Sequence, residues 1–130
     1  ERLAQNLFIS PPTVAQYAAL AAFQPETLDI LESRREEFRQ RRDLLVAGLR
    51  ELGFEVPLTP EGAFYVYADA SHLTDNTFDL CWELLEQEKI AVTPGLDFGS
   101  PRANQFIRFS YTTSIKQIEK ALNRLRRRFT

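Results

Sequence analysis

The stretch Gln105–Tyr111, QFIRFSY, sets one arginine inside a strongly apolar run. A guanidinium keeps its charge at every ordinary pH, so Arg108 cannot shed the cost of its surroundings by losing a proton. Strand alternation sends Ile107, Phe109 and Tyr111 to one face and Phe106, Arg108 and Ser110 to the other. The first face is wholly apolar or aromatic and must meet a core. The second holds an arginine at its centre. By pattern alone the simpler reading is a side chain that snorkels to water from an open sheet face. The other reading is an anion site, because the flat fork of donors on a guanidinium matches a carboxylate.

Few other residues offer chemistry. His72 is the one histidine and Cys81 the one cysteine, which gives neither a zinc ligand set nor a Cys–His nucleophile pair. Gly95 and Gly99 in PGLDFG lack the spacing and the following helix of a phosphate loop. No serine stands in a nucleophile-elbow motif. Cys81 is expected to be a small core residue on a helix. The basic tail from Lys116 to Arg128 suits a helix C-terminus, and the arginines between positions 34 and 42 suit an ion-paired outer face.

The elements that must position Arg108 follow from periodicity. SPPTVAQYAALAAF, residues 10–23, reads as a helix capped by Ser10 or Thr13 and apolar nearly all round, hence buried. A long helix is expected from Glu26 to about Leu52, with Leu28, Leu31, Phe38, Leu45, Leu49 and Leu52 as its inner stripe and Gly53 as its stop. FEVPLTP reads as a short strand and turn. EGAFYVYAD, residues 61–69, is apolar on both faces, which predicts a central strand. Residues 74–89 predict a capped helix with Phe78, Cys81, Trp82 and Leu85 inward. IAVTPG is a short strand, FIRFSY the last strand, and the chain closes on a helix capped by Thr113 or Ser114, with Ile115, Ile118, Leu122 and Leu125 inward. The fold class is α+β: a small, mostly antiparallel sheet of three or four strands covered by helices, with a long N-terminal connecting helix.

With 130 residues, 44% of them hydrophobic, the chain has the material for one domain with a core. A net charge of −2 argues against nucleic acid and against a basic membrane surface. No apolar run approaches a membrane span, and a lone cysteine suits a reducing, cytoplasmic setting. The chain holds no methionine and opens on ERLAQNLF, which has the character of a helix interior. A piece of a longer protein is the expectation.

Four segments in order resemble the C-terminal portion of class I/II aminotransferases, the fold type I enzymes that use pyridoxal 5′-phosphate. NLFISPPTVAQYAALAAF resembles the segment leaving the large domain. The run from Arg41 to Asp69 is similar to the long helix and P-x-G-A-F-Y strand of the small domain. IAVTPGLDFG resembles V-x-P-G-x-x-F-G, and FIRFSY the R-[LIF]-[SC]-[YF] strand. The resemblance implies that residues 1–24 leave a large domain and that residues 25–130 form the small domain. It implies that Arg108 binds the α-carboxylate of the amino-acid substrate, and that the aromatic side of Phe64 and Tyr65 can approach it, core packing being the other reading for these two. Pro94, Gly95 and Phe98 match a loop that in the family approaches the active site and moves on closure, and Ser10 and Pro11 fall near the family's dimer interface.

The resemblance also implies what this stretch does not carry. The family's cofactor-binding lysine, its phosphate loop and its pyridinium partner all lie upstream, and Lys89, Lys116 and Lys120 match none of them. No catalytic, cofactor-binding or metal-binding residue is therefore expected in this stretch, and no activity from it alone. The implied whole is a homodimeric aminotransferase exchanging an amino group between an amino acid and a 2-oxo acid. A β-lyase or decarboxylating synthase, a stand-alone α+β domain that binds a small carboxylate or a protein, and a transcriptional regulator with an aminotransferase-like body are the alternatives.

Overall fold

The computed structural model describes residues 2–129. The chain divides into two units, residues up to Glu36 and residues from Glu37 on. The first contains α1 (Arg2–Leu7), α2 (Thr13–Ala21) and the start of α3 (Pro25–Glu51). Pro25 and Glu26 open α3, where a missing N–H and a negative charge suit the first turn. The Thr27 hydroxyl donates to the Ala21 carbonyl at 2.9 Å and ties the turn between α2 and α3.

Two expectations fail in this unit. Pro12 is the residue before α2, and neither Ser10 nor Thr13 makes a side-chain cap. The helix is also not buried: Val14, Tyr17 and Leu20 are all exposed. Apolar composition shows what a helix can bury, and this unit offers α2 no core to be buried in. Leu28 and Leu31 on α3 are about half exposed for the same reason.

The second unit is the α+β body. Its sheet has three strands, β1 (Tyr65–Asp69), β2 (Thr93–Pro94) and β3 (Phe106–Ser110), in the order β1-β3-β2. Both outer strands run antiparallel to β3. They are joined through α4 (Thr77–Glu88), and α5 (Ile115–Phe129) closes the unit. The central strand is therefore β3, and the expectation that residues 61–69 would be central is corrected. Val66 and Ala68 of β1 are fully buried, whereas Tyr65 and Tyr67 face the other way and stay partly open. Aromatic side chains made both faces look like core. FEVPLTP contributes only a bridge between Glu55 and Asp69, since Pro57 and Pro60 have no N–H to extend the ladder.

The core lies between one face of the sheet and the helices. Leu45, Leu49, Leu84, Ile107, Leu122 and Leu125 belong to it, and Phe54 meets Phe109 and Phe129 edge-on at 5.3 and 5.6 Å. Gly53 ends α3 at φ 87°, a conformation that glycine adopts without strain. Asn76 caps α4 by accepting from the Phe78 N–H at 3.0 Å. Its inner row is Thr77, Leu80, Cys81 and Leu84, so Phe78, Trp82 and Leu85 face outward, contrary to expectation. The expected row is displaced by one residue, about 100° of helix rotation, and the two rows share only Cys81. Burial pushes the Cys81 thiol up to about 11, which suits a core residue.

On α5, Ser114 accepts from the Gln117 N–H, and Ile118, Leu122 and Leu125 point inward, while Ile115 stays partly exposed. The basic tail is tied down: Arg124 donates to the Glu88 carbonyl at 2.9 Å, Arg126 pairs with Glu51, and Arg128 with Glu83. No helix among the described residues is long and apolar enough to cross a membrane.

Candidate substrate-anchor site

Because β3 is paired on both sides, Arg108 is placed by two neighbours in register, Tyr67 on β1 and Thr93 on β2. Strand alternation turns it away from the core, where Ile107 and Phe109 are 0 and 4% exposed. Its guanidinium does not lie loose on the surface. Nη2 donates to the Thr93 hydroxyl at 3.2 Å. The Tyr65 and Phe98 rings stand 5.5 and 4.7 Å from its central carbon, within cation–π range. Nε is buried with no hydrogen-bond partner. Among the described residues no carboxylate forms an ion pair with Arg108, whereas Arg35, Arg39, Arg41 and Arg42 on α3 each have one.

The surrounding aromatics are themselves fixed. Tyr67 stacks on Phe106 at 4.8 Å and meets Phe98 edge-on at 6.2 Å. Burial raises the Tyr67 hydroxyl above the ordinary tyrosine value and keeps it protonated. A side chain at Gly95 would strike this hydroxyl at 2.6 Å and the Phe106 carbonyl at 2.9 Å, so only glycine lets the turn after Pro94 lie this close. From below, the Tyr111 hydroxyl donates to the carbonyls of Gly62 and Ala63 at 3.2 and 3.3 Å. Arg42 on α3 donates to the Pro60 carbonyl at 3.0 Å and Arg50 to the Thr59 hydroxyl at 3.1 Å. These bonds hold the turn in which Ala63 takes φ 61° and from which β1 carries Tyr65 toward Arg108. Two of the α3 arginines thus brace a loop as well as lying on a charged face. Beside this array lies an apolar cleft of about 580 Å³, lined among others by Pro57, Leu58, Tyr65, Tyr67 and Phe106.

The expected site residues are thus brought together unevenly. Tyr65 contacts Arg108, but Phe64, about half exposed, stacks edge-on against Tyr65 instead. Neither is core. Thr93 and Tyr67 escaped the sequence reading, although alternation of β1 and β2 about Arg108 carried the signal. His72 lies 3.0 Å from Glu55 on the surface, and no cluster of potential ligands among the described residues could hold a metal ion.

The profile of the family "Aminotransferase class I and II" matches residues 2–125. The chain belongs to the class I and II aminotransferases. It is 37% identical over 123 residues to a valine–pyruvate aminotransferase of Mycobacterium tuberculosis, covering 95% of this chain and 32% of that one. It is 40% identical over 125 residues to a (5-formylfuran-3-yl)methyl phosphate transaminase of Methanocaldococcus jannaschii, covering 96% and 32%. The fold superimposes on the crystal structure of an aminotransferase from Mycobacterium tuberculosis with a TM-score of 0.90 at 37% identity, covering 98% of this chain and 33% of that one. The chain spans about a third of the length of the curated relatives it matches.

Class I and II aminotransferases in general use pyridoxal 5′-phosphate, which requires a lysine amine to hold it covalently. The lysines here do not fit that task. Lys89 ends α4 and donates to the Glu86 carbonyl at 2.6 Å, while Lys116 and Lys120 stand exposed on α5.

Proposed function

We propose that this chain is the C-terminal part of a pyridoxal-phosphate-dependent aminotransferase, and that Arg108 holds the α-carboxylate common to its amino-acid and 2-oxo-acid substrates. One observation carries the reading: Arg108 is fixed by Thr93, Tyr65 and Phe98 yet has no anionic partner among the described residues. Arg35 and Arg42 of this chain, by contrast, each pair with a carboxylate. Here the guanidinium is held by a hydroxyl and two rings, and no carboxylate among the described residues pairs with it.

Arg108 then works by position. A paired donor fork fixes where the carboxylate sits and how it is turned, which aims the substrate's Cα for reaction. The charge-assisted bonds gain strength where the aromatic rings exclude water. Residues 1–24 lead from a large domain that carries the lysine and cofactor, residues 25–130 form the small domain, and the whole acts as a cytoplasmic homodimer. The exposed apolar side chains of α2 support this assignment, because they are surface that a further domain or subunit would bury. By itself the chain is inactive.

The test uses the complete polypeptide. Arg108→Ala should raise KM for amino donor and oxo-acid acceptor together and lower kcat/KM by about two orders of magnitude, or roughly 3 kcal/mol in barrier. Arg108→Lys should fall between, keeping charge without the fork. Unchanged kinetics in Arg108→Ala would remove Arg108 from the site.

A further inference from the structure

The contacts around Arg108 come largely from one short segment. Thr93 stands in register with it, and its hydroxyl accepts from Nη2 at 3.2 Å. Pro94 then leads into a 3₁₀ turn at Gly95–Asp97, which delivers Phe98 with its ring 4.7 Å from the guanidinium carbon. Thus Thr93 contacts the guanidinium through a hydrogen bond and Phe98 through its ring. Nε is buried and unpartnered, so it faces protein and not an approaching ligand. Nη1 and the remaining Nη2 hydrogen are the donors left for an incoming anion.

We propose that Thr93 and Phe98 are positioning residues that hold Arg108 with its Nη end presented, and so set affinity for the substrate carboxylate without touching the substrate themselves. The inference rests on the reading of Arg108 as the carboxylate anchor. An arginine otherwise surrenders much rotamer freedom when it binds a ligand. Here that ordering is done beforehand by a hydrogen bond from Nη2 to Thr93 and by the Phe98 ring against the guanidinium, which lowers the cost of binding. Tyr65 contributes a second ring, but it also lines the apolar cleft, so its replacement would confound the two roles. Thr93 and Phe98 do not line that cleft. Phe98 itself is about half exposed and Thr93 partly so, and neither belongs to the buried core. Their variants are therefore expected to fold.

The experiment compares Thr93→Val, Thr93→Ser, Phe98→Leu, Arg108→Ala and the Thr93→Val/Arg108→Ala double variant in the complete polypeptide. The probes are L-alanine, L-aspartate, L-valine and L-phenylalanine as donors, with pyruvate and 2-oxoglutarate as acceptors. Thr93→Val and Phe98→Leu should each raise KM about tenfold for every substrate that turns over, with kcat within about threefold of the parent. Thr93→Ser should restore the parent KM, because it keeps the hydroxyl. The double variant should be no worse than Arg108→Ala alone, since Thr93 acts through Arg108. A KM rise in Arg108→Ala with none in Thr93→Val and Phe98→Leu overturns this inference and leaves the anchor reading standing. Additive losses in the double variant overturn it too, by showing that Thr93 acts elsewhere. Unchanged kinetics in Arg108→Ala overturns both.

Discussion

Ile107, Phe109 and Tyr111 leave β3 toward the helices and are 0, 4 and 2% exposed; Phe106, Arg108 and Ser110 leave it on the opposite side and remain open. The two rows alternate along the same five-residue strand and its next residue, so backbone pairing cannot be what separates them. Partners do. The first row meets α3, α4 and α5 from within the unit and completes a core. The second meets rings, a hydroxyl and a cleft. The strand has one face closed into the core and one that stays partly open.

The sharpest way to break that division is to cut into the closed face. Ile107→Ala should destabilise the chain by about 3 kcal/mol, the lost transfer energy plus the cavity left in a packed core. Ser110→Ala, three residues along and on the other face, should change stability by less than about 0.5 kcal/mol. Urea unfolding of both variants makes the comparison, and similar losses would show that the open face is folding surface after all.

A finer test uses the second charge on the open face. Asp69 lies at the end of β1 opposite Phe106, yet it is buried and has its partners within the chain. It accepts from the Ser71 N–H at 2.8 Å and pairs with Arg102 at 2.7 Å. Burial alone would raise its carboxyl, but the hydrogen bonds from Ser71 and the nearby Arg102 charge outweigh it and hold the carboxyl below its ordinary value. A lowered folded-state pKa adds stability that is fully present above the unfolded value and disappears as pH falls through the folded one. Asp69→Asn should therefore cost about 1 kcal/mol at pH 7, discounted because Arg102 is largely exposed. The gap between variant and parent should close below about pH 4. A gap that widens in acid would contradict the sign. Asp69 thus shows what a charge on this face looks like when the fold itself has supplied the partner.

Much of this division was legible in the sequence, and the gaps have physical causes. Alternation placed the Ile107 row inward and Arg108 outward without help. The long helix, the last helix and the antiparallel sheet followed from periodicity and turn residues. β1 has the pattern of a central strand because Tyr65 and Tyr67 count as apolar, although both line the cleft and the Tyr65 ring stands against Arg108. Burial of α2 was misread because composition shows what a helix can bury and not whether a partner is present. The inner row of α4 starts one residue earlier than its largest apolar side chains suggest, because the buried row opens on the small polar Thr77 while Phe78, Trp82 and Leu85 stay open. Phe98 stood in a motif that points to the site, whereas Thr93 did not, because the register that brings it opposite Arg108 is a relation between two segments.

The smallest expected effect is the most pointed. Arg108→Met removes the charge, the Thr93 bond and the cation–π contacts while keeping most of the aliphatic stem. If Arg108 served the fold, losing all three should be costly. Against that stands the Nε atom, buried without a partner, which is a penalty the parent carries. Methionine carries no such donor and packs adaptably against aromatic rings. The two sides nearly offset, so unfolding stability of the chain should change by no more than about 0.5 kcal/mol. A loss several times larger would make Arg108 a structural residue and return the open face to the fold. A null result, set beside the collapse of Ile107→Ala, would mean that one strand tolerates the loss of its charged residue because the fold was never what that residue was held for.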